Sequence, residues 1–454
     1  MTFQAPTPTP IRLQIRQLLD GRRQLRDELA LIRVRAQEHA DLNAIAWVDW
    51  ERAAAQADAA QAAVKSLGPQ ALSARPLQGV FVSVKDLFNL DGAVTRAGTR
   101  AMLPDLGRQA EVVNRLQAAG AIVFAKTNMH EIALGATGEN LWTGDVKNPH
   151  DPARPAGGSS SGSAVAVACG IGAASIGSDT GGSVRIPAAF CGIVGFKPTY
   201  AAIPLEGALA LSWTCDHAGP LANSVDDAAV VYEALSHRST RHGSTPRRAR
   251  LGVPRNWLAG RLAPGVREAF ERLVAELGRD ADVVDAGVAT MPLAWQHYTP
   301  IVRAEGAWIH RAALAAGGNG FSELVIGPLR AGADIPASQY LDAMHARRIF
   351  SDDLDRHLAG VDAMILPTTA IAPPLRGQQD ADVEGGKLPV REAVLGQTLP
   401  FSFAGVPTLS LPCGFLDGLP LGLQVVARRD GDASLLALGR WLEQRLRDIS
   451  GAPS

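Results

Sequence analysis

Cysteine is scarce in this chain. Cys169, Cys191, Cys215 and Cys413 are all there are in 454 residues, and none stands in CxxC spacing. That excludes a disulfide framework and a cysteine-built zinc site, and predicts reduced thiols in a core. Metal-ligand spacing is missing as well. The ten histidines are scattered, no HxH occurs, and "HEIAL" at His130 lacks the second histidine of a zinc-protease helix because position 134 is leucine. "GIGAAS" from Gly170 is a truncated GxGxxG with no Walker lysine after it, better explained by close helix packing than by a phosphate loop. Neither a metal nor a cofactor is therefore expected. Nor does one sign of charge dominate: 44 Lys and Arg face 45 Asp and Glu, for a net charge of −1. Such a balance gives no field for nucleic acid or an anionic membrane, and the short Arg247, Arg248, Arg250 cluster reads as a solvated loop. Long apolar runs are absent too. The opening "MTFQAPTPTPIRLQIRQLL" lacks a signal-peptide core and no later stretch approaches a membrane span, so a cytoplasmic protein is expected.

What is present is ordinary globular composition with a changing period. Residues 1–75 read as helical: Leu25, Leu29 and Ile32 recur at helical spacing, followed by the alanine-rich "ERAAAQADAAQAAVKSL". From Pro76 to residue 236 the pattern turns to short buried-strand runs. "GVFVSVKD" and "AIVFAKTN" flank a helical "EVVNRLQAAG" that closes on Gly120, which is β–α–β order. "SVDDAAVVYEALSH" reads as a helix with Ser224 as N-cap. Residues 237–250 are a polar, arginine-rich break. Over 260–360 helices and loops alternate, so 237–360 reads as a variable excursion able to shape a pocket. Strand patterns return in 361–454 at "DAMILPTTA", "VPTLSLPCG" and "GLQVVAR", before a last helix carrying Leu435, Leu438, Leu442 and Leu446. Strands at both ends predict one α/β domain over 1–454, a mixed twisted sheet with helices on both faces.

Chemistry concentrates in "AGGSSSGSAVAVACGIGAASIGSDTGGSVRIP", Ala156 to Pro187. Gly158 to Gly162 fits GxSxG with Ser160 central, which would make an esterase of the α/β-hydrolase type. That elbow needs a hydrophobic strand before it, and "KNPHDPARPA" offers three prolines instead. Ser183 is the better nucleophile. Thr180, Gly181 and Gly182 allow a tight turn of aligned N–H groups, and Pro187 suits the first turn of a helix starting just after Ser183. Orphan N–H groups there favour a developing oxyanion. Asp179 and Arg185 bracket the turn and are expected to brace it as a pair. A serine hydroxyl needs a base. Lys85 closes the strand "VFVSVK", where α/β sheets carry their active residues; alternatively it faces water, as Lys126 is expected to.

Taken together, "GVFVSVKDLFNLDG", "GGSSSGSA" and "GSDTGGSVRIPAAFCGIVGFKPT" resemble the amidase signature family of serine hydrolases. "FAKTNMHEIALG", "DHAGPLANSVDDAA", "VDAMILPTTA" and "GVPTLSLPCGFLDGLPLGLQVVA" extend the resemblance in order from about residue 40 onward. It implies that family's fold and a Ser–cis-Ser–Lys triad with Ser183 as nucleophile, Ser159 as bridge and Lys85 as base. It further implies an oxyanion hole from the N–H groups of Thr180, Gly181, Gly182 and Ser183, a cis Gly158–Ser159 peptide, and a supporting role for Ser160. Two positions depart from the pattern: Ser161 where many relatives have glycine, and Ala156 where many have proline. An unperturbed lysine titrates near ~10.4, and lowering it by about three units costs ~4 kcal/mol. Burial among hydroxyls, with no adjacent carboxylate, acts in that direction, and Asp86 is expected to point to the opposite face.

The reading that follows is an amidase cleaving linear carboxamides through an acyl-enzyme, with carbamates (urethanes) and esters open to the same route. The expected partners are a small-molecule amide or carbamate and water, in a monomer or homodimer. Trp142 and Trp213 lie in candidate pocket segments and lean towards aryl substrates, with plain core packing as the equal alternative. The rival from another class is an amidotransferase subunit delivering ammonia within a complex.

Overall fold

Runs such as Phe81–Lys85 and Ile122–Thr127 are buried at every position, the burial expected of strands covered on both faces. In the computed structural model, which describes Phe3, residues 5–67 and residues 74–450, they lie side by side in a sheet. The strands up to the chain midpoint are β1 (Ile45–Val48), β2 (Phe81–Lys85), β3 (Ile122–Thr127), β4 (Ala174–Asp179), β5 (Val194–Lys197) and β6 (His217–Ala222). Then come β7 (Arg250–Val253), β8 (Asp282–Asp285) and β9 (Ala363–Pro367). A separate hairpin, β10 (Asp380–Val383) with β11 (Gly386–Pro389), precedes β12 (Thr408–Leu416) and β13 (Leu419–Val426).

Eleven of these strands form one mixed sheet in the order β1-β3-β2-β4-β6-β5-β12-β13-β9-β7-β8. β2 runs parallel to both β3 and β4, as the β–α–β reading requires, while β4, β6, β5, β12 and β13 alternate in direction. The late strands β12 and β13 enter the middle of the sheet, so its centre closes only when the last part of the chain arrives. Helices flank the sheet. Ser161–Ala168 packs on β2, β3 and β4; Arg185–Cys191 packs on β5, β12 and β13; Asp432–Ser450 covers β12 with its buried Leu435, Leu438, Leu442 and Leu446. Ser224 caps its helix as expected, its hydroxyl accepting from Asp227 N at 3.1 Å.

Eight strands, β1, β4–β8, β10 and β11, escape the sequence reading, and three of them fall in segments read as helical or as a variable excursion. β1 interrupts the helical N-terminal part and pairs antiparallel with β3; β7 and β8 join the sheet edge from within 237–360. Each is four residues long, too short for a period to register, and each holds exposed residues that blur the apolar signal. The four cysteines are free. No helix of the described residues is long and apolar enough to cross a membrane.

Lys126 overturns its expectation of facing water. Its ammonium is fully buried and lies 2.8 Å from Asp86, with Thr95 Oγ1 at 2.7 Å. Asp86, the residue after β2, is thus committed to Lys126. Burial pushes the Asp86 carboxyl up and the Lys126 ammonium down, each opposed by the partner's charge. Removing one member of a buried pair leaves the other uncompensated. Lys126→Met should therefore cost about 3–5 kcal/mol in urea unfolding, and adding Asp86→Leu should recover much of it. A single-variant loss below about 1 kcal/mol would show the pair to be energetically idle.

Candidate active site

The parallel pairing of β2 with β4 brings two strand ends to the same edge of the sheet. Lys85 ends β2; Asp179 ends β4 and opens the turn Thr180–Ser183. Loops at such carboxyl ends are where open α/β sheets hold ligands. Alternation along β2 sends Val82 and Val84 one way and Phe81, Ser83 and Lys85 the other, with Ser83 Oγ donating to Ser175 Oγ of β4 at 2.9 Å.

Lys85 has no exposed surface, and its Nζ lies 2.7 Å from Ser159 Oγ and 2.9 Å from Ser178 Oγ. No carboxylate touches it. Burial pulls the ammonium down to about 7, opposed by the more distant negative charges of Asp216 and Asp179. The expected hydroxyl environment is there, but two carboxylates act on it from a distance, which sequence reading did not anticipate. Ser159 is held from behind: its carbonyl accepts from His130 N at 3.2 Å, and the peptide joining it to Gly158 is cis.

Ser160 does not line the cavity that holds Ser183. Fully buried, its hydroxyl donates to the Ser178 carbonyl at 3.1 Å and accepts from Ser178 N at 3.2 Å. It precedes the helix Ser161–Ala168 and no strand leads into it, so the geometry of a nucleophile elbow is missing. Its own N–H donates to the Ser183 carbonyl at 3.2 Å and so ties the two serine strips together.

The Thr180–Ser183 turn is pinned by charge. Asp179 accepts from Arg185 Nε at 2.9 Å and Nη2 at 2.8 Å, from Val184 N at 3.1 Å and from Ser402 Oγ at 2.8 Å. Both partners of this bidentate pair are fully buried. Burial alone would push the Asp179 carboxyl up; the Arg185 guanidinium overrides it and holds the group well below the usual carboxylate range. Arg185 continues outward to the Thr398 carbonyl at 2.8 Å and Gln424 Oε1 at 2.7 Å. Gly182 sits at φ +147°, and a Cβ there would lie 2.2 Å from Thr398 Oγ1, so only glycine fits. Among the described residues the N–H groups of Thr180, Gly181, Gly182 and Ser183 donate to no protein acceptor, which leaves them available to an anion.

Two cavities of about 380 Å³ each meet at Thr180. Ser183, Thr180, Gly181 and His130 line the first, which is closed on the other side by Tyr298 and Val302 from the helix Met291–Ile309. Tyr298 and Val302 both lie within 237–360. The second is more apolar and lies under Tyr200–Asp216, with Trp213 at its rim and Ser178 and Asp216 in its wall. Thr180 Oγ1 donates to Asp216 Oδ1 at 2.6 Å, and burial pushes that carboxyl up to about 6. Trp142 lines neither cavity: its indole donates to Glu131 at 3.1 Å and its ring stacks under Arg100, a packing role. The two nearby histidines are poor bases. Burial, followed by the charge of Lys85, takes His130 down to about 4, and burial holds His217 well below its ordinary range. Sequence reasoning missed Ser178, Asp216 and Tyr298. Ser178 alone had a signal, its place one residue before the end of a strand pairing with β2.

Comparisons with known proteins agree with one another. The family model described as Amidase matches residues 29–436. A crystal structure of an amidase superposes with a TM-score of 0.92 at 46% identity, covering 96% of this chain and 100% of that one. Among curated proteins, the 1-carboxybiuret hydrolase subunit AtzE of Pseudomonas sp. (strain ADP) is 34% identical over 94% of this chain and 96% of its own length. A glutamyl-tRNA(Gln) amidotransferase subunit of Symbiobacterium thermophilum is 34% identical over 82% of this chain and 83% of its own.

The buried lysine makes a prediction independent of any substrate. The Lys85 side chain, followed by NMR with carbon-labelled lysine, should titrate with a midpoint near pH 7, charged below and neutral above. A midpoint near the ordinary ~10.4 would mean that the ammonium is solvated and the geometry above is wrong.

Proposed function

The chain belongs to the amidase family, and on that premise we propose that it hydrolyses linear amides through an acyl-enzyme on Ser183, with Lys85 as base and Ser159 as bridge. The observation that carries this reading is a buried lysine near neutrality, 2.7 Å from Ser159 Oγ, beside a turn with unused N–H groups. Neutral Lys85 takes the proton of Ser159 while Ser159 takes that of Ser183, and Ser183 Oγ bonds to the carboxamide carbon. The oxyanion is met by the N–H groups of Thr180, Gly181, Gly182 and Ser183. As the C–N bond breaks, the relay returns its proton to the leaving amine. Water then enters, gives up a proton along the same path and releases the acid. Ser160 and the Asp179–Arg185 pair serve this scheme as positioning groups. Carbamates and esters fit the same route, since each presents a carbonyl carbon with a leaving heteroatom. The apolar second cavity with Trp213 favours hydrophobic substituents.

A second reading is supported by the similarity to the amidotransferase component. In it the chain releases ammonia from glutamine for a bound partner. Gel filtration with a glutaminase assay separates the two: glutamine turnover only with partner subunits present would favour the complex over the free-standing hydrolase.

Labelling with a fluorophosphonate followed by peptide mapping should place the adduct on Ser183; an adduct on Ser160 would sink the assignment. Ser183→Ala and Lys85→Ala should lower amide turnover on the order of 10³-fold or more, and Ser159→Ala by about 10²–10⁴. Rates should rise with pH through about 7, because the lysine must be neutral to accept a proton. Near-normal turnover by Lys85→Ala at neutral pH would require another base.

A further inference from the structure

Two arginines line the cavity that holds Ser183, and neither has an acidic partner. Arg303 follows Val302 on the helix Met291–Ile309, whose cavity-facing side also presents Tyr298 and Thr299. Arg391 comes from a different element, the helix Val390–Leu395, and its guanidinium carbon lies 5.7 Å from the Trp295 ring on that same long helix. Among the described residues neither guanidinium makes a hydrogen bond or an ion pair, although acids stand close by in sequence and space. Glu392, next to Arg391, is committed to Arg261 at 3.1 Å. Glu139, the carboxylate of the cavity lining, is occupied by Thr137 Oγ1 at 2.9 Å and Gly377 N at 3.3 Å.

The positive wall reaches the reactive turn itself. The Tyr298 hydroxyl is so close to Gly181 that a Cβ there would lie 2.5 Å from it, and Tyr298, Arg303 and Arg391 line the same cavity. A lone exposed arginine is ordinary. Two of them, brought from separate elements to one concave surface without a counterion, repel each other unless an anion comes between them. A planar guanidinium offers paired N–H donors that match a carboxylate.

We propose that Arg303 and Arg391 form an anion-recognition wall that selects amides bearing a carboxylate, holding it while the carboxamide carbon faces Ser183. This rests on the reading of Ser183 as nucleophile.

The test uses the whole enzyme and competition against fluorophosphonate labelling of Ser183. Succinamate and glutaramate are compared with their uncharged diamides. The carboxylates should protect Ser183 at concentrations about ten-fold or more below those of the diamides, an advantage that weakens as salt is added. Arg391→Gln and Arg303→Gln should each shrink that advantage about ten-fold, whereas Arg279→Gln, on a remote exposed surface, should leave it in place. Equal or better protection by the diamides, or an advantage unaltered in both cavity variants, would overturn the proposal. So would labelling that neither compound slows. If Ser183 is not labelled at all, it is the nucleophile assignment that fails, and the two failures are thereby told apart.

Discussion

The buried pair between Asp179 and Arg185 is the constraint on which the rest of the site depends. Six residues apart, the two close the Thr180–Ser183 turn from both sides, and no exposed salt bridge could hold a turn so firmly against solvent screening. Desolvating two such charges is expensive unless every lone pair and N–H finds a partner. Here they do: Asp179 also accepts from Val184 N and Ser402 Oγ, and Arg185 also donates to Thr398 O, Gln424 Oε1 and Ser402 Oγ. Thr398, Ser402 and Gln424 lie more than two hundred residues downstream of the turn. The pair therefore makes the turn's geometry depend on the Thr398–Ser402 segment and on β13, both late in the chain.

The lysine is the second consequence of the same closure. Its titration near neutrality needs a site that excludes water yet supplies hydroxyls. Ser159 and Ser178 provide these, one from the glycine- and serine-rich strip and one from β4. Ser160 links the two by bonding both main-chain groups of Ser178, which makes it a spacer between strip and strand. The residues around it must be small. Gly162 has no room for a Cβ, which would lie 2.2 Å from the Ala44 carbonyl. Charge also acts from a distance: Asp216 and Asp179 raise the affinity of Lys85 for its proton, and burial outweighs them. An ammonium that titrates near 7 results from this balance, since burial unopposed would take it lower still.

Much of this was legible in the residues. Strand and helix types followed from period and from runs such as "VFVSVK" and "AIVFAKT". The central strips could be ranked against one another because the prolines before Ser160 rule out a strand, whereas the glycines before Ser183 permit a tight turn. What remained hidden depends on contacts between distant segments. Lys126 looked solvent-facing because nothing local announces that Asp86 turns back to meet it. Asp216 is thirty-six residues from Thr180, and Tyr298 more than a hundred from Gly181, yet both touch the Thr180–Ser183 turn. Trp142 sat in a plausible segment and proved to be packing against Glu131 and Arg100. Four-residue strands such as β8 carry too little pattern to be read at all.

The placement of these parts separates chemistry from selection. The groups assigned to bond-breaking sit on β2, on β4 and its turn, and on the strip before Ser161–Ala168, all locked into the sheet's core. The cavity's far wall comes instead from Met291–Ile309 and Val390–Leu395, elements that do not belong to the sheet. A change at Arg303 or Arg391 alters what the cavity attracts without disturbing the hydrogen bonds of Asp179, Arg185 or Lys85. The converse does not hold, because Thr398 joins the Arg185 network to the Gly181 carbonyl at 2.7 Å, only three residues after the helix that carries Arg391. The Thr180–Ser183 turn is thus tied to the segment that follows the wall's second helix, while the composition of that wall stays free to vary. An enzyme built this way can keep one reaction and exchange substrates by substitution in these two helices.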